Sequence, residues 1–116
     1  LFDMLRYHVI GAGASWIGEY GDPRMPEQRA WLEGYSPYQR LTRGRTYPMP
    51  FILTSTADDR VHPAHGRKAA ARLHEIGAPY YYYENIEGGH AAAANLQETA
   101  RRLALEYTYA SRRLVD

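Results

Sequence analysis

Two short stretches of this 116-residue chain carry residue types suited to acid–base chemistry: Asp58-Asp59-Arg60-Val61 and Gly88-Gly89-His90. An acid aimed at one nitrogen of a histidine fixes its tautomer. It also stabilises the imidazolium formed when the other nitrogen takes a proton. A histidine behind two glycines sits where the backbone can turn tightly and approach other groups closely. It can take a proton from a serine and return it to a leaving group. Acid before histidine is the chain order of the last two members of one kind of Ser…Asp…His triad. Taken singly, each stretch also reads as an ordinary turn, the first with an aspartate neutralised by Arg60, the second with a surface histidine. Only one of the two aspartates can face the histidine, because successive side chains of an extended segment point opposite ways.

Each stretch follows a run that reads as a strand. Phe51-Ile52-Leu53-Thr54 is apolar and partly β-branched, which suits a parallel strand covered on both faces. Tyr80 to Tyr83 reads as a second strand, with residues 84–89 as its exit loop. Between them Pro63 can start a helix and Gly77 can end it. In that helix Ala69, Leu73 and Ile76 recur on an inner face, and Lys68, Arg72 and Glu75 are expected to point outward. A last helix carries one apolar stripe, Leu96, Ala100, Leu103, Tyr107, Ala110 and Leu114, with Glu98 and Arg102 able to pair across a turn. Upstream, the first seven residues suit a short helix, residues 11–15 a loop and residues 26–35 a helix beginning at Pro26.

The order strand, helix, strand, helix is that of an α/β fold with a parallel sheet. Both chemical stretches then lie beyond the carboxyl ends of strands, where such sheets gather their functional groups. The chain therefore reads as the C-terminal part of an α/β-hydrolase fold with an incomplete sheet. A complete unit of that kind needs roughly twice this length. Residues 1–116 are expected to be one portion of one domain, with no second domain.

The nucleophile such a pair would serve is not recognisable. Ser15 lies in Gly13-Ala14-Ser15-Trp16-Ile17. A nucleophile elbow needs a small residue two positions after the serine, where Ile17 stands, and a strand before it. Ser36, Ser55 and Ser111 lie in a turn, beside the acid loop and on the last helix, without elbow glycines. His62 and His65 have metal-ligand spacing but no completing ligand, so a solvated helix start is the simpler reading. His74 and His8 have no informative neighbours. No metal or cofactor is expected.

A formal net charge of +1 favours neither a nucleic-acid nor a membrane partner. No apolar run approaches the ~18 residues of a membrane-crossing helix. The absence of cysteine excludes disulfides and leaves the compartment open between cytoplasm and periplasm.

Several segments, in order, resemble the C-terminal end of the prolyl oligopeptidase family of serine peptidases, its bacterial branch most closely. They are Asp3-Met4-Leu5-Arg6-Tyr7-His8, Gly13-Ala14-Ser15-Trp16, Glu19-Tyr20-Gly21, Tyr35-Ser36-Pro37-Tyr38, residues 54–63 around Asp58-Asp59-Arg60-Val61, and residues 83–90 ending in Gly88-Gly89-His90. The resemblance implies that Asp58 is the triad acid and His90 the base. It implies that Arg60 holds a substrate carbonyl, that Trp16 stacks on the substrate proline, and that Tyr20 and Val61, with Leu1 beside them, wall that pocket. It implies a short proline-containing peptide as substrate. It also implies that the nucleophile, the oxyanion donors and a size-restricting propeller lie upstream in a missing N-terminal part, so that this chain alone is inactive. An esterase or acyl-peptide hydrolase of the same fold, or a non-catalytic fragment that binds a partner, are the competing readings.

Overall fold

The computed structural model describes residues 1–90 and 95–115. The alanine run 91–94, expected to be a short-residue stretch after His90, lies outside the described residues.

Two strands, β1 (Phe51–Ser55) and β2 (Tyr81–Asn85), pair in parallel with Phe51 opposite Tyr81 and Ser55 opposite Asn85. The crossover between them is a helix, Ala64–Ile76. Upstream lie three shorter helices, which we number α1 (Ile17–Tyr20), α2 (Pro26–Tyr35) and α3 (Pro37–Arg40); the crossover is α4 and the last helix, Leu96–Ala110, is α5. The β-α-β-α order of an α/β-hydrolase portion is therefore present from residue 51 onward. No helix among the described residues is long and apolar enough to cross a membrane.

α4 is the best defined of these by its sequence. Ala69, Ala70 and Leu73 are buried on one face. Gly77 takes a left-handed φ of 74°, which costs a residue without Cβ little. Its N–H bonds the carbonyl of His74, and the N–H of Ala78 bonds that of Leu73, closing the helix with a Schellman motif.

The expected surface of α4 needs correction. Lys68 does not point into solvent. Its ammonium pairs with Asp3, a carboxylate with no exposed surface, and lies 4.5 Å from the centre of the Tyr38 ring. Gln39 also donates to Asp3, at 2.8 Å. Burial pushes the Asp3 carboxyl up, but Lys68 and Gln39 outweigh it and leave the group below the usual carboxylate range. The partner lies 65 residues away, so helical spacing cannot reveal it.

The second strand begins and ends later than its tyrosines suggest. Glu84 and Asn85 belong to β2, where they pair with Thr54 and Ser55; the Glu84 carboxylate meets Arg67 of α4 at 2.5 Å and accepts the Thr56 hydroxyl. In the N-terminal part, residues 11–15 are not a loop but part of a 3-10 helix, Gly11–Trp16, preceded by a shorter one, Tyr7–Val9. Met4, Leu5, Tyr7 and Leu32 form a small core there, with Leu1, Trp16 and Ile17 packed against it.

α5 is present, but its face is turned. Leu96, Tyr107 and Leu114 are 87%, 71% and 83% exposed, so most of the expected stripe meets solvent. The helix is held instead by Tyr109. Its ring packs 5.6 Å from that of Phe51 and 6.3 Å from that of Tyr81, and its hydroxyl donates to the Met49 carbonyl at 2.7 Å. Tyr109 and Leu105 lie roughly half a turn from the line through Leu96 and Tyr107, and Leu114 lies beyond α5, in a π-helical turn, Ser111–Val115. The expected Glu98–Arg102 pair is replaced by Arg102–Glu106 at 3.7 Å, while Glu98 accepts from Tyr83.

Candidate active site

The parallel pairing of β1 and β2 ends at Ser55 and Asn85, and both loops leave the sheet at that end. Asp58 is the third residue beyond one strand and His90 the fifth beyond the other. The Asp58 side chain folds back over its own loop, its Oδ1 accepting the backbone N–H groups of Arg60 at 3.0 Å and Val61 at 2.8 Å. Such a side-chain turn is a local habit of aspartate. It fixes the carboxylate before any partner arrives.

His90 Nδ1 lies 2.9 Å from Oδ2 and 3.0 Å from Oδ1 of the same carboxylate. Burial pushes the Asp58 carboxyl up, but the His90 contact and the two backbone donors outweigh it and hold it below the ordinary aspartate value. An ionised carboxylate only accepts, so Nδ1 carries the proton and Nε2 of neutral His90 is left as a proton acceptor. Asp59 is exposed beside the pair.

Asp58, Val61 and His90 line one cavity of about 480 Å³, with Leu1, Phe2 and His65 on its other walls. Trp16, Tyr20 and Arg60 are not on that lining. They form a layer of their own: the Arg60 guanidinium carbon lies 5.6 Å from the centre of the Trp16 ring, and the Trp16 and Tyr20 rings are 6.4 Å apart. The layer connects to the cavity through the chain itself, because Arg60 and Val61 are neighbours. Tyr20 packs edge-on against buried Tyr7, whose hydroxyl donates to the Gly21 carbonyl.

Ser15 has neither an elbow nor a free hydroxyl. It sits in the Gly11–Trp16 3-10 helix and donates to the Ala12 carbonyl at 2.7 Å. The expected solvated start of α4 holds for His62, whose Nδ1 accepts the Ala64 N–H, but not for His65, which is 3% exposed. The spacing of His65, Ala69 and Leu73 at steps of four was the available signal that His65 shares the buried face. Among the described residues no cluster of histidines, aspartates or glutamates is placed to hold a metal ion.

The comparisons with known proteins bear on the family and the fold. The family model for the prolyl oligopeptidase family matches residues 1–115. An uncharacterized peptidase, y4nA, of Sinorhizobium fredii is 57% identical over 116 residues, all of this chain and 16% of that protein. The prolyl endopeptidase of Elizabethkingia miricola is 35% identical over 84% of this chain and 14% of its own. The structure of a post-proline cleaving enzyme from Rickettsia typhi superposes with a TM-score of 0.93 at 36% identity, over 97% of this chain and 16% of that one. The chain thus spans about one sixth of the length of these relatives. Over that span, in sequence and in fold, the chain belongs to the prolyl oligopeptidase family of peptidases.

Proposed function

We propose that this chain supplies the acid and base of a serine-peptidase triad, and part of a proline-binding pocket, in an enzyme that cleaves short peptides after proline. The contact between His90 Nδ1 and the Asp58 carboxylate at the open end of two parallel strands carries this reading. In it, His90 Nε2 takes the proton of a serine hydroxyl as that oxygen attacks the scissile carbonyl. It then hands the proton to the departing amine. Asp58 keeps the imidazole in the correct tautomer and balances its charge in between.

Arg60 offers a fork of N–H donors to a substrate carbonyl. The flat face of Trp16, between Tyr20 and Arg60, suits a compact apolar ring such as proline. Val61 and Leu1 add apolar wall on the cavity side. The nucleophile is contributed by sequence outside these 116 residues, since the Ser15 hydroxyl is spent on its own helix. The chain is one portion of a peptidase domain in this reading and needs no cofactor.

The test uses a fluorophosphonate serine probe and two substrates on the gene product that contains this chain. Labelling outside residues 1–116, with cleavage of a proline peptide far above its alanine analogue, supports the reading. Cleavage of a simple ester without cleavage of any proline peptide replaces it with an esterase. Labelling at Ser15 overturns the assignment of the nucleophile.

A further inference from the structure

His65 is the second residue of α4 and is 3% exposed, on the same face as Ala69 and Leu73. An apolar residue would fill that place without polar atoms to satisfy, so each ring nitrogen needs an account. Nδ1 accepts the backbone N–H of Asp3 at 3.2 Å and is 3.3 Å from that of Phe2, donors from more than 60 residues away. With two donors aimed at it, Nδ1 carries no proton, and the neutral ring is protonated at Nε2. Nε2 itself is buried without a partner among the described residues, so the histidine is held for its Nδ1. One turn further along α4, Lys68 grips the side chain of the same Asp3.

The consequence lies in the cavity. Leu1, Phe2 and His65 line it together with Asp58 and His90. The helix whose first turn holds residues 2 and 3 begins directly after the loop that carries Asp58 and Val61. We propose that His65 is a positioning residue for the candidate site: through Nδ1 it holds the Leu1–Phe2 wall at a fixed distance from the Asp58–His90 pair. The proposal rests on the peptidase reading above for its catalytic consequence, but the grip itself does not.

The experiment uses the gene product that contains this chain, with His65→Asn and His65→Gln. Asparagine places an acceptor near the position of Nδ1, and glutamine places one near Nε2. His65→Gln is expected to raise KM for a short proline peptide about tenfold with kcat within about twofold. It is also expected to speed hydrogen exchange at the Phe2 and Asp3 amides by about tenfold or more. His65→Asn restores both towards wild type. Equal behaviour of the two variants, or unchanged exchange in His65→Gln, overturns the proposal. Faster exchange with an unchanged KM overturns the positioning role.

A wild-type measurement guards against a variant that fails to fold. The ¹⁵N shifts of His65 must report a neutral ring protonated at Nε2, and protonation at Nδ1 sinks the proposal. If the gene product cleaves no proline peptide, the peptidase reading fails, while amide exchange and the tautomer still decide the grip.

Discussion

His90 Nδ1 meets the Asp58 carboxylate at 2.9 Å, although 32 residues and a whole helix separate them in the chain. The parallel register makes this possible. With Ser55 opposite Asn85, the two exits from the sheet are side by side, and loops of three and five residues suffice to bring acid and base together. The Asp58 side chain is 11% exposed and that of His90 37%, so the acid is the more enclosed anchor and the histidine the reachable member.

Exposure also separates the two adjacent aspartates, since Asp59 is exposed and Asp58 only partly so. In the gene product containing this chain, Asp58→Asn is expected to lower kcat by about four orders of magnitude, because an amide facing Nδ1 favours the wrong tautomer. Asp59→Asn removes an exposed carboxylate and is expected to change kcat by less than about threefold. Steady-state kinetics on one proline peptide decide it. Equal losses in both variants would remove Asp58 from its assigned role.

Arg60 and Trp16 make a second testable pair. The guanidinium lies over the indole at 5.6 Å, so it both braces the ring and stands beside its face. Arg60→Ala is expected to raise KM for a proline peptide about tenfold and to leave hydrolysis of a small ester within about threefold. A proportionate loss on both substrates would show that Arg60 supports the loop rather than the substrate.

The residues of the candidate site were far more legible than the contacts that hold them. Asp58 and His90 stand in loops after recognisable strands, and loop position is what local sequence reports well. Trp16 and Tyr20 were reached only through family resemblance, since a tryptophan beside a glycine run is as well explained by a core. His65 and Lys68 were misread because polar side chains on a helix start look solvated, and their partners Phe2 and Asp3 come from the far end of the chain. The α5 stripe was misread for a related reason. Periodicity finds the most apolar line on a helix, whereas the helix is turned by Tyr109, whose ring packs on Phe51 of β1 and whose hydroxyl reaches the Met49 carbonyl just before that strand.

The buried histidine also sets a pH dependence of stability. Burial pulls His65 down from 6.5 to about 4, since the charged ring is poorly solvated there. The unfolded chain takes up this proton near pH 6.5 and the folded chain only near pH 4. Between those values the unfolded state binds more protons, so stability falls as pH falls and levels off below about 4. The span corresponds to about 3 kcal/mol at most. Urea unfolding between pH 7 and pH 4 is expected to show this slope in wild type and a shallower one in His65→Asn. Parallel slopes would mean that other groups carry the acid sensitivity.

A backbone approach tests how Trp16 is placed. A Cβ on Gly13 would stand 1.7 Å from the Tyr7 carbonyl oxygen, which already accepts the Ile10 N–H. Neither atom belongs to a flexible side chain, so the Gly11–Trp16 turn must move as a unit. Gly13→Ala is therefore expected to destabilise the protein by at least about 3 kcal/mol, or to fold with Trp16 displaced and KM for a proline peptide raised. Gly18, two residues past Trp16 in α1, has open space where its Cβ would be. Gly18→Ala replaces a poor helix former with the best one and is expected to be neutral or stabilising by up to about 1 kcal/mol. Thermal unfolding of the two variants side by side, with Trp16 emission as a second readout, checks both. A Gly13→Ala protein with wild-type stability and emission would contradict the close packing of this turn on Tyr7.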